Sequence, residues 1–165
     1  MNSTHTWFEC KVKYLKTGPN GKEVKINESY LIDAVSYTEA EARIFAELET
    51  FIQGPFIIDS IKKSNVSEVI PSNVESDDKW FKGKIALLDA DEVTGQEKRT
   101  NQYVLVSAKD IHTALEHLVE SFSTYVIPYE ISQIADTKIM DVYPYFKGDG
   151  EEEIPENLKP ISELE

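Results

Sequence analysis

Cys10 is the only cysteine in this 165-residue chain. A single thiol excludes an internal disulfide and a cysteine-based zinc site built from one chain. Basic residues are scarce too, with 17 Lys and Arg against 30 Asp and Glu, a formal net charge of -13. Acidic groups outnumber basic ones in 1–79, in 80–146 and in the remainder. Phosphate binding draws its affinity from Lys and Arg displacing counterions, so any nucleic-acid role needs a local basic patch. No apolar run approaches the roughly 18 residues of a membrane span, and Met1–His5 has neither the basic nor the apolar region of a secretion signal. The expectation is a cytoplasmic protein with no membrane contact. There is no Gly-rich phosphate loop, no Gly-x-Ser-x-Gly elbow and no visible triad. His112 and His117 are five apart, off the i, i+4 spacing that stacks two zinc ligands on a helix. No metal, no cofactor and no enzymatic activity are expected.

What the chain does have is 41% hydrophobic residues, enough for a core, and a self-similar layout. Trp7-Phe8-Glu9-Cys10-Lys11 returns as Trp80-Phe81-Lys82-Gly83-Lys84, a Trp-Phe-x-x-Lys block. The same offset matches Tyr30 to Tyr103, Phe56 to Tyr129, Ile58 to Ile131, Ile61 to Ile134 and Val69 to Val142, with a one-residue slip at the helices. Phe8, Cys10, Val12 and Tyr14 alternate with polar neighbours, the period of a half-buried strand. Thr17 to Gly21 supplies a turn, and a second strand covers Val24 to Asp33. Ser36 or Thr38 can cap a helix bearing Ala40, Ile44, Leu48 and Phe51, stopped by Gly54-Pro55 before a strand over Phe56 to Lys63. The second half repeats this with strands Trp80 to Leu88 and Tyr103 to Ser107, helix Asp110 to Ser123 and strand Tyr129 to Ala135.

The expected fold is α+β: two tandem ββαβ modules related by pseudo-twofold symmetry, with antiparallel sheets and one helix each. The first module is 1–70, the linker 71–79, the second module 80–145, and 146–165 an acidic tail. A three-stranded sheet with one helix leaves one face bare, so the halves should pack together.

The blocks Trp7 to Tyr14, Tyr30 to Ala34, Ser36 to Arg43, Trp80 to Lys84, Gly95 to Asn101 and Ile139 to Tyr145 resemble an uncharacterised domain-of-unknown-function family. That family occurs in Bacteroidetes and their phages, crAss-like phages included. The resemblance spans residues 7 to 145 and implies a bacterial or phage-infected cytoplasm, without catalytic residues or a ligand to carry over.

Trp7, Lys11 and Lys13 share one face of their strand, as Trp80, Lys82 and Lys84 do in the other half, with Tyr30 and Tyr103 on the partner strands. Lys16, Lys22 and Lys25 flank the first turn, and Lys98 and Arg99 follow the second. Rings interleaved with cations suit single-stranded nucleic acid, which stacks bases and meets ammonium groups with phosphates. The commoner use of strand Trp and Lys is packing and solvation. The candidate surface is therefore Trp7, Lys11, Lys13, Tyr30, Trp80, Lys82, Lys84, Arg99 and Tyr103. In the acidic tail, Ile154, Leu158, Ile161 and Leu164 are the candidates for docking on a partner, the alternative being a plain solubilising tail. The leading expectation is a nonenzymatic macromolecule-binding or adaptor protein of bacterial or phage origin, with a protein as the favoured partner. The alternatives are a single-stranded nucleic-acid binder with an acidic recruitment tail, or an acidic inhibitor of a host enzyme or defence protein.

Overall fold

The structure, a computed structural model, describes residues 5–147 and 151–152. Its first half contains β1 (Thr6–Thr17), β2 (Glu23–Ala34), α1 (Tyr37–Glu49), β3 (Phe56–Lys63) and β4 (Val66–Ile70). The second repeats the order as β5 (Lys79–Ala90), β6 (Glu97–Ala108), α2 (Ile111–Phe122), β7 (Tyr129–Asp136) and β8 (Ile139–Tyr143). A small antiparallel pair, β9 (Phe146–Lys147) and β10 (Glu151–Glu152), follows. Ile154, Leu158, Ile161 and Leu164 lie outside the described residues.

The α+β reading with two similar modules holds, each with one helix on its sheet. The antiparallel sheets do not: both are mixed. Their strand orders are β3-β1-β2-β8 and β4-β6-β5-β7. The three antiparallel strands of each module are joined at the edge by a parallel strand from the other half of the chain, β8 on β2 and β4 on β6. Only Ser64-Asn65 separate β3 from β4, and only Thr137-Lys138 separate β7 from β8, so an edge strand of one sheet bends directly into the other. Ser64 N donates to Trp7 O at 2.7 Å at one crossing, and Thr137 Oγ1 donates to Trp80 O at 2.7 Å at the other. Strands that change sheets in this way form the corners of a sandwich. The exchange ties each sheet's edge to the other half of the chain, and the bare faces are covered by packing sheet on sheet.

Helices are seated by their caps and their apolar stripes. Ser36 Oγ accepts from Glu39 N at 3.1 Å, and the Glu39 carboxylate reaches back to Val35 N at 3.3 Å. Asp110 Oδ1 accepts from Thr113 N at 2.7 Å. Ala40, Ile44 and Leu48 of α1 close over Phe8, Cys10, Val12, Tyr30 and Ile32. Ala114, Leu118 and Phe122 of α2 close over Phe81, Ile85, Val104 and Val106. Phe51 is not part of the helical stripe. It falls beyond the end of α1 and is exposed, while Ile52 turns inward. The faces turned away from the helices meet in a third core of Leu31, Leu105 and Val66, with Trp7, Trp80, Val69, Ile139 and Val142 packed against it. The layers therefore run helix, sheet, sheet, helix.

Hairpin register corrects one correspondence. β1 pairs with β2 so that Cys10 opposes Tyr30, whereas β5 pairs with β6 so that Gly83 opposes Val104 and Lys84 opposes Tyr103. The loop from Asp91 to Gln96 is one residue longer than the loop from Gly18 to Lys22. The slip thus occurs in the turn, ahead of the helix, and Val104 is the counterpart of Tyr30. Because side chains alternate between faces, a one-residue shift puts Tyr30 and Tyr103 on opposite faces.

Candidate functional site

The strand faces carrying Trp7, Lys11 and Lys13 and carrying Trp80, Lys82 and Lys84 are those opposite the helices, as the alternation requires. Both Trp residues are half-buried in the inter-sheet core, so their rings serve the packing of one sheet on the other. Tyr30 lies in the core beneath α1, where its hydroxyl donates to Glu28 Oε2 and its ring stacks 6.0 Å from Tyr143. Of the rings named in the sequence reading, Tyr103 keeps a partly open position, with the Lys82 ammonium 5.1 Å from its centroid.

The cations divide into paired and unpaired. Lys13 Nζ meets Asp59 Oδ2 at 3.2 Å, Arg99 Nη1 meets Glu130 Oε2 at 3.0 Å, and Lys82 donates to Asn65 Oδ1. Lys11 is exposed and Lys84 half-buried, and among the described residues neither forms an ion pair. The surface is real as a strand face, but it does not gather rings and cations into one platform.

A different site lies at the hairpin end of the first module. A groove of about 360 Å³ is lined by Lys13, Tyr14, Leu15, Lys25, Phe56 and Ile57. A second, of about 440 Å³, lies against Leu15, Lys16, Phe51 and Gln53 and shares Tyr14 with the first. Leu15 is 57% exposed, Phe51 53% and Ile57 60% around these two grooves, while the second module exposes Val93 in its hairpin loop and Tyr125, Val126 and Ile127 beyond α2. The floor is firm. Tyr14 OH donates to Glu28 Oε1 at 2.7 Å, and burial, then this hydrogen bond and the carboxylate charge, push its phenol up to about 12. Leu15 and Ile57 escaped the sequence reading, which placed Phe51 in the helical stripe instead. The signal for Ile57 was available in the comparison of halves, since its counterpart is Glu130.

Two polar clusters at the opposite ends of the sheets were also missed. Arg43 of α1 donates to Asp33 O, and His117 of α2 lies with Nδ1 2.9 Å from Ser107 O, the same tie from helix to sheet in each module. His5 Nδ1 sits 3.4 Å from Asp33 Oδ1, and burial pushes the Asp33 carboxyl up while His5 opposes the shift. Asp77, with its side chain 4% exposed, accepts from Lys109 N at 3.1 Å and Ser72 Oγ at 2.5 Å. His117 Nε2 lies 3.7 Å from the same carboxylate. A hollow of about 290 Å³ opens between His5, Trp7, Asp33, Ser64 and Ser67. Its serines are engaged locally, Ser64 Oγ by Val66 N and Ser67 Oγ by the Tyr103 carbonyl. Cys10 is buried beneath α1, its thiol pushed up to about 12 by burial and then by Glu9, which disfavours the thiolate a nucleophile needs. Among the described residues, no three His, Cys, Asp or Glu side chains gather as a metal site, and no helix is long and apolar enough to cross a membrane.

Fold and surface together define an α+β protein of two similar sheet modules. Residues 6–145 match the model of a domain of unknown function, DUF4494, and the chain belongs to that family. No curated protein matches the chain significantly.

Proposed function

We propose that the chain is a nonenzymatic adaptor that holds a protein partner at the hairpin end of its first module. The observation carrying this reading is the cluster of exposed Leu15, Phe51 and Ile57 around two adjoining grooves. Exposed apolar patches of this kind mark interaction sites. In the same reading, the protein works in the cytoplasm of a Bacteroidetes cell or of a host infected by its phage. The Trp-Phe-x-x-Lys blocks then reflect duplication of one module, supported by the repeated offset and by bulges at matching positions, between Lys11 and Val12 and between Lys84 and Ile85. A single-stranded nucleic-acid partner retains the support of Lys11, Lys82 and Lys84 but loses that of Trp7, Trp80 and Tyr30. An inhibitor role rests on net charge alone.

The test places a photo-crosslinking residue at 57, at 15 and, as a control, at 130 of the full chain in its native cells. The expected result is one protein species joined at 57 and 15 but not at 130, which rebinds when both purified components are mixed. Nucleic acid in the adducts, or failure of every captured protein to rebind, defeats the adaptor reading.

A further inference from the structure

The two modules offer an internal control for the groove. In the second module the strand pairing sets Ala86 of β5 between Asn101 of β6 and Glu130 of β7. In the first, Lys13 of β1 stands between Asn27 of β2 and Ile57 of β3. Two residues along, on the same face, Leu88 opposes Arg99, and Leu15 opposes Lys25. Position for position, Arg99 and Glu130 correspond to Lys25 and Ile57.

In the second module these positions close on each other. Arg99 Nη1 and Glu130 Oε2 meet at 3.0 Å from the two strands flanking β5, and Ala86 between them is fully buried. In the first module the carboxylate is replaced by Ile57, which is 60% exposed. Asp59 is engaged by Lys13, and among the described residues no carboxylate lies within ion-pair distance of Lys25. Lys16 borders the adjoining groove, exposed and likewise without an ion pair. The first module therefore keeps the cation, lacks its counter-charge, and adds aliphatic surface beside it.

We infer that this groove receives an acidic peptide segment of the partner, with a carboxylate on Lys25 and an adjacent aliphatic side chain against Leu15, Phe56 and Ile57. The inference rests on the adaptor reading and narrows it to one partner chemistry. An amphipathic segment with spaced apolar anchors fits an open apolar groove, and the free lysines select acidic flanks. The high negative charge of the rest of the chain repels such a segment elsewhere, which confines it to this end.

The probe is a synthetic helix-forming peptide with Leu at i, i+4 and i+7 and Glu at flanking positions, set against the same peptide with Lys for Glu. Each is titrated into isotope-labelled full-length protein. The Glu peptide is expected to shift the resonances of Leu15, Lys25 and Ile57, and the Lys peptide to bind at least about tenfold more weakly. Ile57→Glu supplies Lys25 with the missing carboxylate and should remove binding while the spectrum stays folded. Glu130→Ile breaks the matching pair and should bring shifts at Leu88 and Arg99. Equal binding of both peptides overturns the acidic preference while leaving an apolar docking site. No shift at the groove with either peptide overturns the adaptor reading as well.

Discussion

Glu28 is where a single side chain holds most together, because it accepts from the hydroxyls of both Tyr14 and Tyr30. The Tyr30 phenol is pushed up by burial first and then by Glu28, in the same direction as Tyr14. Both phenols have folded values above the ordinary 10.0, so their stabilisation is complete below that value and is lost as the pH rises above it, through about 12 for Tyr14 and higher still for Tyr30. Glu28→Gln should cost about 2 kcal/mol near neutral pH. Phenolate formation, followed by ultraviolet difference spectroscopy, should begin at lower pH in this variant. An unchanged alkaline titration would show that Glu28 contributes nothing to the shift. Gly83 makes a second case. A Cβ there would meet Leu118 Cδ1 at 2.8 Å, where the first module holds Cys10. Leu118 can rotate its far end, so Gly83→Ala should destabilise by only about 1 kcal/mol, measured by denaturant unfolding.

The helices show how far local signals reach. Ser36 was legible as one of two cap candidates, beside Thr38, and Asp110 as the start of the second helix, because an oxygen-bearing side chain preceding an apolar stripe has one efficient use. Ser36→Ala should cost about 1 kcal/mol, with helix content by circular dichroism falling only at the onset of unfolding. The first hairpin, β3 and β5 were legible for the same reason, since their alternation is written in neighbouring residues, whereas β6 was read only from Tyr103 because its exposed residues 97–101 are polar throughout and show no alternation. β4 and β8 were not. Each is short, follows another strand after two residues, and finds its partner in the other half of the chain, so no local period announces it. Val69 and Val142 were noticed as counterparts, yet pairing across halves depends on the third core, which the sequence does not display in any one segment. The surroundings of the candidate surface were hidden at the same level. Trp7 and Trp80 were placed on the correct faces, but whether a face meets solvent or another sheet is decided by that exchange. The turn length hid the true partner of Tyr30, because one extra loop residue reverses every side chain after it.

Across the molecule, both Trp residues and both exchanged strands converge on the core between the sheets. Intrinsic fluorescence should therefore report the joining of the modules, and its denaturation curve should coincide with that of helix content in a single transition. Leu105→Ala should cost about 2–5 kcal/mol. Hydrogen exchange should quicken in β1 and β2 as well as in β5 and β6, and a change confined to the second sheet would refute the coupling. The edge pairing of β8 on β2 also bears on how the molecule takes a pulling force. Thr6 opposes Ala34, Tyr143 runs beside Ile32, and the His5 and Tyr145 rings are 4.1 Å apart, so both ends leave the first sheet on one side. Tension between residues 5 and 145 peels β1 and β8 from β2, one hydrogen bond after another. Tension between the Gly18–Lys22 turn and residue 145 instead drags β8 lengthwise along β2 and loads its bonds together, so the fold yields readily along one axis and resists along the other.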